Sequence, residues 1–81
     1  MRSKSIVLER PAFRLIVEEV NETDRVGSVL MYVASMYLQV RGSSRMHLVR
    51  RSRVPGSAIQ LERDARLGRI DVGSLIDAPA A

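Results

Sequence analysis

Twelve arginines, a lone histidine, two tyrosines and the adjacent pair Glu18-Glu19 are the residues of this chain best equipped for chemistry. Their spacing narrows what that chemistry is. Six arginines and no acid lie between Arg25 and Leu61, and five of them, Arg41, Arg45, Arg50, Arg51 and Arg53, form one block. The flanks differ: residues 1–24 carry four basic and five acidic groups, and residues 62–81 carry three and four, so each flank is −1 and the centre is +6. A guanidinium presents a planar fork of donors that matches phosphate and carboxylate, and lysine, which this chain uses once, does not reproduce that fork. An acid-free arginine block therefore suggests an anionic partner, most often nucleic acid. The competing reading is a solvated loop, or arginines paired with Glu18, Glu19 and Glu22.

Catalysis finds no support. Glu18 and Glu19 are neighbours, so on a strand they point to opposite faces and do not act as a pair. His47 stands in the arginine block with no acid beside it, as a surface or sheet-edge residue would. The chain has no cysteine, which excludes disulfides, thiolate zinc sites and cysteine nucleophiles, and one histidine does not make a His-rich metal site. Gly27, Gly42, Gly56, Gly68 and Gly73 stand apart from one another and make no phosphate-binding loop. The expectation is a protein that is not an enzyme and that needs no cofactor or metal.

These residues must be positioned by a small scaffold. At 81 residues there is room for one domain. A chain of this size buries only about 60% of its unfolded surface, so association with another chain is expected. With 46% hydrophobic residues it is not disordered by composition. No apolar run reaches the length of a membrane span, and no signal peptide is read at Met1-Arg-Ser-Lys4, so a cytoplasmic or nuclear location is expected.

Residues 5–10 suit a helical turn or a short strand before Pro11. Phe13, Leu15 and Val17 alternate with Arg14, Ile16 and Glu18, a strand pattern, and 21–24 is a polar turn. Val26 to Val40 is fifteen uncharged residues. A helix is available through Val26, Val29, Val33, Met36 or Tyr37, and Val40, with Thr23 as cap, but it would be apolar on every face and beyond burying in so small a monomer. The Val, Tyr and Leu content favours strands at Ser28–Val33 and Met36–Arg41 with a break at Ala34-Ser35. Gly42-Ser43-Ser44 is a turn, Arg45–Val54 a strand with one solvated face, and Pro55-Gly56 a bend. Residues 57–62 read as a strand with Ile59 and Leu61 inward, or as a helix with capping-box spacing at Ser57 and Gln60 and closure at Gly68. The remainder, 63–81, reads as a tail.

Short strands, glycine bends and a basic loop describe a mainly β fold, a small five-stranded, strongly bent open barrel of the SH3-like class. The stretch from Gly27 through Val29, Tyr32, Ser35 and Met36 to Val40 resembles the first motif of the Sm and Sm-like family. Val54-Pro55-Gly56-Ser57-Ala58-Ile59 resembles its second, and the D-class Sm proteins are the nearest pattern. The resemblance covers about residues 5–61, giving an Sm-like domain over 1–62. It implies a short N-terminal helix around Ile6–Glu9. It departs from the family where Val33 and Ala34 replace an acid, Tyr37 an asparagine and Pro55 an arginine.

The resemblance implies a ring subunit that binds uridine-rich single-stranded small nuclear RNA and scaffolds a spliceosomal core. Its partners would be other Sm or Sm-like subunits, its location the nucleus with assembly in the cytoplasm. Ring pairing would use strands at about 46–54 and 57–62. RNA contacts fall on Ser35, Met36, Tyr37, Gly56 and Ser57, with Arg50, Arg51 and Arg53 on phosphates. Tyr37 would stack on a base where the family reads a uracil edge, or serve only as a barrel residue. The alternatives are an Sm-fold adaptor that binds protein alone, and a helical DNA-binding regulator with helices at 23–41 and 57–67.

Overall fold

The computed structural model describes residues 2–70. Four strands run in chain order as an antiparallel meander: β1 Arg2–Glu9, β2 Phe13–Thr23, β3 Val29–Val40 and β4 His47–Ser52. One helix, α1 Ala58–Arg66, follows and packs on one face of the sheet against β2 and β3. The fold is therefore mainly β, as expected, and its strands form a four-stranded open antiparallel sheet.

Side-chain alternation decides which face is covered. Leu8 on β1, Leu15 and Val17 on β2, and Tyr32, Ala34, Met36 and Leu38 on β3 are buried under α1, which contributes Ala58, Leu61 and Ala65. Met36 and Leu38 are the largest fully enclosed side chains. Ala34, fully buried, leaves the helix room to approach the sheet centre. The register aligns these residues across strands, with Leu8 opposite Leu15, Leu15 opposite Leu38, and Val17 opposite Met36.

Among the described residues, no helix lies on the opposite face of the sheet. Ile16, Val20, Val33 and Tyr37 are only half-buried there, and Val7 and Leu48 are exposed. In β4 one extra residue interrupts the pairing: Met36 faces Arg50, but Tyr37 faces Leu48, which leaves Val49 as a bulge.

Three expectations are corrected. The short N-terminal helix is strand β1, because Ile6 and Leu8 alternate inward against β2 once the meander supplies a partner. The uncharged stretch does not break at Ala34-Ser35: β3 is one strand of twelve residues, central in the sheet and paired on both sides. This also removes the helix at 23–41 required by the DNA-binding alternative. Residues 57–62 are not a fifth strand. Leu61 and Ala65 are buried one helical turn apart on α1, so the segment covers the core as a helix and offers no strand for ring pairing.

The helix start and stop follow local chemistry. Gly56 takes φ +84°, a left-handed conformation that glycine adopts without strain, and turns the chain from β4 into α1. Ser57 occupies the first cap position without a side-chain capping bond, so the Ser57–Gln60 spacing forms no capping box. At the other end Gly68 N–H donates to the Ala65 carbonyl and Arg69 N–H to the Asp64 carbonyl, the two bonds of a Schellman closure. Ile70 then returns to pack on the core. The helix runs through the 62/63 boundary drawn from the sequence, and residues 71–81 of the expected tail lie outside the described residues.

Candidate nucleic-acid interface

Alternation along β4 sends consecutive arginines to opposite faces. Arg50 points to the helix side, where its Nη1 donates to Asp64 Oδ2 at 3.0 Å. Arg51 points to the uncovered side. Its Nε donates to Ser35 Oγ at 3.1 Å, and its Nη2 lies 3.5 Å from the Tyr37 hydroxyl. Ser35 is buried and sits directly across from Arg51 in the ladder, so the guanidinium is laid over the sheet toward the Tyr37 hydroxyl.

Around this group the uncovered face forms an open cavity of about 320 Å³. Val20, Met31 and Val33 supply its apolar lining; Ser35, Tyr37, Arg51 and Arg53 supply aromatic and cationic groups; Glu18 supplies one carboxylate. Glu18 is the cross-strand partner of Ser35, so Glu18, Ser35 and Arg51 form a row across three strands. Glu19, its neighbour, faces the helix side instead and accepts a hydrogen bond from the Tyr32 hydroxyl at 2.6 Å. The two adjacent carboxylates thus serve different faces, as strand alternation requires.

The six arginines of the acid-free segment divide by partner. Arg41 is held by Glu9 Oε2 at 3.0 Å and Arg50 by Asp64. Arg25, Arg45, Arg51 and Arg53 have no carboxylate within ion-pair distance among the described residues. The pairing with Glu18, Glu19 and Glu22 that the sequence allowed is not formed among these residues. Two of the four unneutralised cations, Arg51 and Arg53, therefore line the same cavity.

The residues read from the sequence separate accordingly. Ser35, Tyr37, Arg51 and Arg53 come together on the uncovered face. Met36 does not: it is fully buried on the helix side, because the residue between Ser35 and Tyr37 on a strand must face the other way. Arg50 is engaged by Asp64. Gly56 and Ser57 belong to the turn that carries the chain onto the helix side. Sequence reasoning missed Glu18 as a site residue. The signal was present in the alternation of β2, which places Glu18 on the face opposite Leu15 and Val17. His47 is exposed on the edge strand, as expected.

Comparison with protein-family models, with curated proteins and with solved structures finds no match to this chain.

Proposed function

We propose that the uncovered sheet face binds single-stranded RNA without catalysing a reaction. Tyr37 offers a ring for base stacking, and Arg51 and Arg53 bind phosphate or base oxygens alongside it. The observation that carries this reading is the placement of Arg51 against Ser35 and Tyr37 on a face that no element of the described chain covers. Stacking on an aromatic side chain contributes about 1–3 kcal/mol per base, and arginines beside it add the salt-dependent backbone term. A half-apolar sheet face whose guanidinium groups no carboxylate holds suits a strand whose bases are splayed out, because a duplex keeps its base faces stacked inside.

From the Sm resemblance this proposal keeps RNA binding at Ser35 and Tyr37. It does not use the ring, whose pairing strand at 57–62 is occupied by α1.

Fluorescence anisotropy with labelled short RNA strands and with duplex DNA tests the reading. Single strands should bind more tightly, and the double variant R51A/R53A should flatten the salt dependence by about 0.7 in slope for each phosphate left unneutralised. Equal or tighter binding of duplex DNA would overturn it.

A further inference from the structure

Resting on that reading, we infer that the cavity selects guanine among the bases, through Glu18 on one side and Arg51 on the other. The two residues flank Ser35 in the ladder, each directly opposite it on its neighbouring strand. Their Cα atoms are thus two strand spacings apart, about 10 Å. They line one cavity of about 320 Å³, large enough for a single base, yet they form no ion pair with each other. A carboxylate on a phosphate-binding face is unfavourable unless it accepts hydrogen bonds from the ligand. Its presence here asks for a ligand with a donor edge.

Guanine has that edge. Its N1–H and N2–H₂ donate side by side and match the two oxygens of a carboxylate, while O6 and N7 accept from a guanidinium. Uracil offers only one ring N–H between two carbonyl oxygens. A carboxylate that accepts this one donor meets a carbonyl oxygen where guanine presents an amine. Arg51 already spends its Nε on Ser35 Oγ, which fixes the plane of the fork; its Nη2 reaches the Tyr37 hydroxyl through a long 3.5 Å contact that a base exchanges for O6 and N7. Tyr37, two residues along β3 from Ser35, lines the same open cavity and offers a ring for stacking. The uridine preference implied by the Sm resemblance is replaced in this reading by a guanine preference.

The test compares two labelled RNA strands, one all uridine and one with a single central guanine, plus a third with inosine at that position. The guanine strand should bind about tenfold tighter than the uridine strand, the range expected of one good bidentate base contact. Inosine, which lacks the N2 amine, should lose most of that gain. E18Q should abolish the preference, read as the ratio of guanine-strand to uridine-strand affinity falling to about one. Equal affinity for all three strands, with R51A/R53A still weakening binding, overturns the guanine assignment and leaves RNA binding standing. No binding of any strand overturns both.

Discussion

The Tyr32 hydroxyl accepts the backbone N–H of Ala58 at 3.0 Å, joining the centre of the sheet to the first turn of the helix. The same hydroxyl donates to Glu19 Oε2 at 2.6 Å, so one buried oxygen ties together β2, β3 and α1. The first turn of a helix has backbone donors without intrahelical acceptors, and Ser57 supplies no side-chain cap. Tyr32 supplies an acceptor from across the core. Replacing it by phenylalanine removes both bonds and leaves the Ala58 amide without its buried partner. Tyr32→Phe should cost about 1–3 kcal/mol in urea unfolding, with the strand content of the circular dichroism spectrum kept.

The same phenol makes stability depend on alkaline pH. Burial, then the bond to Glu19, raise its pKa above the ordinary 10.0, so the folded state holds the proton where the unfolded chain releases it. A proton retained more strongly in the folded state stabilises below the unfolded pKa and loses that contribution as pH rises through the folded one. Stability should therefore fall as pH climbs above ~10, and this alkaline component should vanish in Tyr32→Phe. A pH series of urea midpoints for the two proteins checks it; parallel curves would refute it.

Arg50 and Arg51 should behave as unlike residues. Arg50→Ala removes the pair with Asp64 and should cost about 0.5–1 kcal/mol of stability, since the arginine is half exposed. Its RNA affinity should be close to that of the unaltered chain, apart from the loss of one positive charge. Arg51→Ala removes the donor to Ser35 Oγ but opens that hydroxyl to water, so it should lower the unfolding midpoint only slightly and weaken RNA binding several-fold. Paired denaturation and anisotropy measurements separate the two, and an exchange of their effects would contradict the face assignment.

Met36→Ala tests the correction at the neighbouring position. Met36 is fully enclosed, and truncating such a side chain costs about 2–5 kcal/mol through lost transfer energy and the cavity left behind. Any loss of RNA affinity should follow the loss of folded protein, as shown by titrating at a temperature where the variant is fully folded.

Gly68→Ala probes the helix stop. Gly68 has φ +68° and open space where a Cβ would sit, so the cost is backbone strain alone, about 1–2 kcal/mol. Thermal unfolding measures it, and a neutral substitution would mean that the closure relaxes to another turn.

The legible part of this sequence was what alternation alone can encode. Phe13, Leu15 and Val17 declared β2 and its inward face, and they also fixed Glu18 and Glu19 to opposite sides. Arg51 and Arg53 could be named from residue type and Ser35 and Tyr37 from the family motif, but Met36 was grouped with them because a motif is linear and a strand is two-sided. Residues 57–62 were ambiguous because Leu61 is inward on either period; only the uncovered core over Met36 and Leu38 resolves the choice toward a helix. Residues 2–9 gave the weakest pattern, with Ile6, Val7 and Leu8 in succession, and became a strand through pairing with β2. The bulge at Val49 left no trace in composition at all.

Every strand of the meander pairs with the one before it in the chain, and the helix that closes the core comes after all of them. Pairing between consecutive elements keeps loop closures short, so the hairpins can zip early and quickly. The lid on Met36 and Leu38, however, is made last. During synthesis the sheet is assembled with its oily side bare until residues 58–66 leave the ribosome, and a message truncated before that point would yield a sticky half-product rather than a smaller working protein.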